Sequence, residues 1–227
     1  MNKTKLALAI TAAAMVSTST PVLATNGDNL IGLGSQARAL GGTGTAAFFG
    51  SENALTNPAL LGKSVGTEFV IGGTAFMPKV KASTDVASET GAVSQTSDSD
   101  FNIIPEVSMS TRINDNWTFG LGMFGTAGMG TDYRDNGGLP EGSPLGSPAG
   151  ADGTGLFNGY SNLQLMKFLP TFAYNEDNFG IGFSPVIQYG ALDINYKQFN
   201  PGGEDDPSFN NVGNGMSSDI GFGYNVG

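Results

Sequence analysis

The chain has 227 residues, 39% apolar and 10% aromatic but only 13% charged, with 35 glycines, proportions that exclude a disordered segment, which needs high charge and few aromatics. Histidine and cysteine are both absent, which removes disulfides, imidazole and thiolate metal sites, and Ser-His, Cys-His or histidine acid–base catalysis. A net charge of −10 offers nucleic acid no basic face.

Residues 1–24 read as a secretory signal peptide. Lys3 and Lys5 form the positive start, Leu6 to Val16 the apolar run, and Val22-Leu23-Ala24 the small-residue cleavage site. The run is broken by Ser17 to Pro21 and falls short of the roughly 20 residues of a spanning helix. No later stretch is apolar enough to span as a helix, so a bilayer could be crossed only by a closed β-barrel.

Residues 25–65 show no strand alternation. They hold clustered glycines (Gly32, Gly34, Gly41, Gly42, Gly44) and short helix-like pieces at Ser35 to Leu40 and Ser51 to Leu55. From residue 66 onward the period becomes two. In Phe101 to Ile113, Phe101, Ile103, Pro105, Val107, Met109 and Ile113 share one face, with Ile104 the apolar intruder on the polar one. Trp117 to Met123, Phe179 to Ser184 and Ile220 to Val226 alternate in the same way, with a greasy, aromatic face and a small or polar one. Glu68 to Val80 and Asn162 to Tyr174 are less regular, the latter changing phase near Leu165-Met166, which makes about six strands.

The connections alternate in length. Asn114 to Asn116 and Asn175 to Asn178 are tight polar turns, whereas Ala82 to Asp100, Thr131 to Gly159 and Lys197 to Ser217 are long and polar. Short turns on one side and long loops on the other are the plan of an outer-membrane barrel. A secreted β-sandwich also alternates, but its outer face would carry Lys and Glu, and here the polar face is largely Gly, Ser, Thr and Asn, with Lys and Arg rare in the strands.

Two nucleotide-like motifs fail. Gly32 to Ala37 fits G-x-G-x-x-A but follows no strand, and Asn57 to Ser64 ends like a phosphate loop with Asn57 where glycine is required. Asp98, Asp100 and Glu204 to Asp206 lack EF-hand spacing, so no metal site and no cofactor is expected, and no catalytic carboxylate pair stands out.

The specific text is Gly34 to Leu61, GSQARALGGTGTAAFFGSENALTNPALL. Ala37-Arg38-Ala39, Gly41-Gly42, Ala46-Ala47, Ser51 to Ala54 and Asn57-Pro58-Ala59 follow one another in an order that resembles the start of the FadL family of outer-membrane transporters for long-chain fatty acids and other hydrophobic compounds. The turn and strand Asn114 to Gly122 extend the resemblance, which covers nearly all of the chain after the signal peptide.

The resemblance implies an all-β antiparallel transmembrane barrel of fourteen strands with an N-terminal plug, or hatch, at residues 25–65 and barrel from residue 66 onward. It implies a transport protein in the outer membrane of a Gram-negative bacterium, not an enzyme. Hydrophobic small molecules such as fatty acids or aromatic hydrocarbons would pass without an energy source and leave sideways through a gap in the wall, with outer-membrane lipid as surroundings and no obligate protein partner. Gly41, Gly42, Asn57, Pro58 and Ala59 are the expected plug and gating residues. On the residues themselves, Asn57 can cap a short helical turn, Pro58 fits its first position and Gly62 can end it. Alternation puts Phe76, Ile104 and Phe124 on the inward face, as candidates for a greasy path. About six strands cannot close around a plug, so residues 66–227 are expected to be the first part of a longer barrel. The alternative is a structural or adhesive surface barrel without transport.

Overall fold

The computed structural model describes residues 29–84, 93–134, 159–200 and 208–227. The expected signal peptide, the Gly/Pro-rich text at 138–150 and the acids at 204–206 lie outside them.

Four short helical pieces come first: α1 (Gly34–Ala39), a 3-10 turn (Gly50–Glu52), α2 (Asn53–Thr56) and a second 3-10 turn (Pro58–Lys63). The strands follow as β1 (Thr67–Phe76), β2 (Lys81–Thr84), β3 (Val93–Thr96), β4 (Asn102–Arg112), β5 (Trp117–Asp132), β6 (Tyr160–Glu176), β7 (Phe179–Asn200), β8 (Ser208–Val212) and β9 (Ser217–Val226). β1, β4, β5, β6, β7 and β9 pair in that order as one antiparallel sheet, β8 pairs the far end of β7, and β2 and β3 form a separate hairpin. The six strands read from alternation are the six long ones. β2, β3 and β8 fall in stretches that read as loops.

The sheet turns the soluble-protein rule round. On one face, Ser108, Ser110, Thr118, Thr171 and Ser184 are buried, while on the other Phe69, Ile71, Ile103, Phe172, Phe179, Ile181 and Phe183 are exposed. Small and polar residues are buried because residues 29–64 lie across that face, called here the inner one. The exposed apolar face is what a strand presents to hydrocarbon. Near the short turns, Trp117 meets Tyr174 edge-on with ring centroids 5.2 Å apart, the amphipathic chemistry that favours a membrane boundary. No helix of the described residues is long and apolar enough to cross a membrane.

The strands outrun their alternation. In β5 and β7 the alternation is clear only to Met123 and Ser184, but the strands run to Asp132 and Asn200, because backbone pairing continues where the apolar pattern stops. β1 ends at Phe76 rather than Val80. In the β4–β5 turn, the Asn114 side-chain oxygen accepts from the N–H groups of Asn116 (3.0 Å) and Trp117 (2.9 Å), the local bonding that suits Asn to turns.

Candidate channel site: the N-terminal segment and a break in the wall

Gly41, Gly42 and Asn57 have local causes in the N-terminal segment. α1 ends in a Schellman motif, in which Gly42 N–H bonds the Ala37 carbonyl at 2.8 Å and Gly41 N–H bonds that of Arg38 at 3.0 Å. Gly41 has φ +69°, and at Gly42, with φ +82°, a Cβ would run into the Ile31 carbonyl, so glycine is required at both. Asn57 caps the second 3-10 turn: its Oδ1 accepts from Ala59 N–H at 3.2 Å, its Nδ2 donates to the Thr45 carbonyl at 2.7 Å, and Pro58 occupies the first position. Gly62 was expected to end this turn and does not. The turn runs through it to Lys63, and glycine stands there because a Cβ would meet the Asn175 side chain.

The segment is tied to the inner face by interleaved packing and polar contacts. Ala54, Leu61, Phe124, Leu169 and Ala173 form a buried cluster, with Leu33, Leu55 and Val186 packed on it. Leu61 fits over Gly120, and the backbone of Pro58 and Ala59 lies on Gly182. Around this cluster, Ser51 meets Ser108 at 2.7 Å, Ser110 meets Ser64 at 3.0 Å, Asn175 Nδ2 donates to the Ala59 carbonyl at 3.1 Å, and Asn225 Nδ2 donates to the Leu55 carbonyl at 2.7 Å. Each such bond contributes on the order of 1 kcal/mol net.

Charge is concentrated at one point of this interface. Arg38 Nη1 lies 2.5 Å from Glu106 Oε1, and Glu106 is only 3% exposed. Glu52, also buried, has its carboxyl pushed above the usual range by burial and by Glu106, against an opposing pull from Arg38.

Beyond Glu106 the wall comes apart. β4 stays paired with β1 as far as Asn102, but its ladder to β5 stops at Glu106↔Phe124. The next position on β4 is Pro105, which has no N–H to offer. On β5, Thr126 is an extra residue between Gly125↔Met166 and Ala127↔Leu165, a bulge that bends the strand away. A cavity of about 180 Å³ opens there. Its lining includes Ile104 and Leu165 from the inner face and Ile103 and Met166 from the outer one, with Phe76, Met129 and Leu163 beside them, so residues of both faces border it. Leu30 N–H bonds the Thr126 carbonyl at 3.3 Å, placing the start of the described segment against the bulge.

Of the three residues expected on a greasy path, Phe76 and Ile104 therefore stand at this opening. Phe124 is not among its lining residues: its ring folds over Gly122 and is fully buried in the cluster under the segment. The apparent phase change in β6 is also explained, since Leu163 and Leu165 are inner-face residues made apolar by the opening, and β6 itself keeps register. Sequence reasoning missed Glu52, Glu106, Asn175 and Asn225. The one signal for Glu106 was an acid on a face it shares with Asn102, Ile104, Ser108, Ser110 and Arg112.

A family model described as outer membrane protein transport protein (OMPP1/FadL/TodX) matches residues 13–227. The chain belongs to this family. It is a family of transport proteins of the outer membrane and not of enzymes. Among solved structures, the toluene transporter TodX of P. putida superimposes with a TM-score of 0.60 at 18% identity, over 87% of this chain and 52% of that one. The CymD monoaromatic hydrocarbon channel gives 0.55 at 14% identity, over 89% and 49%, and the TodX deltaS2S3 mutant gives 0.52 at 23% identity, over 75% and 37%. This FadL-type chain thus has the antiparallel β-barrel fold of those proteins and spans about half the length of TodX and CymD. No curated protein sequence matches it.

Proposed function

We propose that this FadL-family chain contributes to passive passage of hydrophobic molecules across the outer membrane, with residues 25–65 as a plug on the inner face and the break between β4 and β5 as the way out into the bilayer. The observation that carries the reading is the cavity at the break in the wall. Ile103, Ile104, Leu163 and Leu165 line it together with the polar Asn102, Asn162 and Gln164, and it opens beside the bulge that the segment touches, so a molecule leaving it outward would pass into the bilayer. Its 180 Å³ compares with an engineered apolar cavity of about 150 Å³ that takes up benzene. That size admits one aromatic ring, or part of an alkyl chain passing end-on, in keeping with the aromatic hydrocarbons that TodX and CymD are named for.

The test is deletion of Gly32 to Leu61 from the full-length protein. Single-channel conductance to small ions should rise and saturable uptake of toluene or a labelled fatty acid should be lost, because the uncovered inner face is small and polar. A deletion variant that assembles and leaves both unchanged would refute the plug.

A further inference from the structure

Among the described residues, the ion pair of Arg38 with Glu106 is the one salt bridge that crosses from the N-terminal segment to the wall. Glu106 is held further by the Thr74 hydroxyl at 3.5 Å, and Arg38 Nη1 is also 3.5 Å from the Gly32 carbonyl. Glu52 completes the group from the first 3-10 turn. Its carboxylate packs directly on Gly34, the first residue of α1, where φ is +76° and any Cβ would collide with it. The Arg38 guanidinium is ion-paired with Glu106 and acts on Glu52 only by a weaker attraction. The other charged groups nearby add no neutralising cation: from β1, the Glu68 carboxylate stands by Gly50, and from β6, Lys167 is in register with Phe124, two strands away from Glu106.

We propose that seating of the segment is proton-linked: Glu52 takes up a proton as the segment seats on the wall, so that mild acid tightens the plug and a rise in pH loosens it. This rests on the plug reading above and adds its regulation. With both acids ionised, the group carries one excess negative charge where water is largely excluded. With Glu52 protonated, a neutral Arg38–Glu106 pair remains beside an uncharged acid. Glu52 is the acid that yields, because Glu106 holds the close contact with the guanidinium. Burial raises the Glu52 carboxyl, and repulsion from Glu106 raises it further.

The sign follows from linkage. A seated carboxyl raised above its unseated value gives stability that is complete below the unseated value and lost as pH rises through the seated one. A single proton limits the effect to about tenfold in the seating equilibrium per pH unit.

Amide hydrogen exchange of residues 50–64 in the full-length protein in lipid bilayers, corrected for the intrinsic rate, reads seating directly. The wild type should open more as pH rises beyond the ordinary carboxylate range, by up to about tenfold per unit through the transition. Glu52→Gln should hold the low-pH protection throughout. Glu106→Gln removes the repulsion and frees Arg38 for Glu52, so its transition should move to lower pH. Flat exchange in the wild type, or an unchanged slope in Glu52→Gln, overturns the linkage. If deletion of Gly32 to Leu61 opens the channel while wild-type exchange is flat, this inference alone falls. If deletion opens nothing, the plug reading falls first.

Discussion

Replacing Gly182 by alanine tests whether the segment's seat depends on close backbone contact. Gly182 is on the inner face of β7, and a Cβ there would collide with the Pro58 carbonyl carbon and the Ala59 nitrogen. Both are backbone atoms, so no rotamer change relieves the clash and the segment itself must shift. Gly221, on the inner face of β9, has open space at the corresponding point. Alanine gains roughly 0.5–1 kcal/mol over glycine in a strand at either position, and the difference between the two variants isolates the contact. Overpacking of this kind costs about 1–3 kcal/mol, a shift of roughly 5- to 150-fold in the seating equilibrium. The assay is single-channel recording of full-length Gly182→Ala and Gly221→Ala, with trypsin sensitivity at Lys63 as a second readout and heat-modifiable gel mobility as the check on assembly. Gly182→Ala should raise open probability and cleavage, while Gly221→Ala should match the wild type. Equal behaviour of the two variants, with both barrels assembled, would refute the reasoning.

Leu61→Ala removes a fully buried side chain from the cluster over Gly120 and should weaken seating by about 2–5 kcal/mol, seen as lost exchange protection in residues 58–64 with a smaller loss in β5 and β7. Deleting Thr126 restores a continuous β5–β6 register and should narrow the opening, so uptake of toluene should fall with ion conductance unchanged; undiminished uptake would put the exit elsewhere. A double-mutant cycle of Ser51→Ala and Ser108→Ala should give a coupling of about 0.5–1.5 kcal/mol in the same exchange experiment, and zero coupling would mean that the 2.7 Å contact does not hold the segment.

The strands were legible because hydrocarbon on one side and a packed segment on the other impose the period-two pattern, as in Trp117 to Met123. Strand ends were not legible: Gly125 to Gly130 carries no alternation, yet its backbone pairs with β6 on both sides of the bulge at Thr126. The Asn57 cap could be read because it is local, built from residues two positions apart. Arg38 and Glu106 are 68 positions apart, and their meeting depends on which strand each inner-face residue reaches, which needs the register. Gly62 misled for the same reason, since a glycine near a helix end suggests a cap, whereas here the side chain of Asn175 on a distant strand requires it. Phe124 reads as one more inward aromatic, and its place in the cluster under the segment depends on the same register.

The sheet contains two places where proline interrupts a ladder, and they come out differently. On β6 and β7, Pro170 and Pro185 face each other and no ladder pairs are formed between Phe168↔Ile187 and Phe172↔Phe183, but the Thr171 and Ser184 hydroxyls meet across the gap at 2.8 Å, and Ser184 lies 3.2 Å from the Ala54 carbonyl of the segment. At Pro105 the neighbours are Ile104 and Gly125, which have no hydroxyl to offer, and the bulge at Thr126 carries β5 further away. The missing N–H is common to both sites, which differ in the inner-face hydroxyls that meet at the one and the bulge that bends β5 at the other. Because the segment reaches both sites, through Ala54 at the sealed one and through Leu30 on Thr126 at the open one, its displacement would remove a tie from each. A plug with such contacts is mechanically part of the wall, and substitutions that loosen it should be felt at β5 and at β7 together.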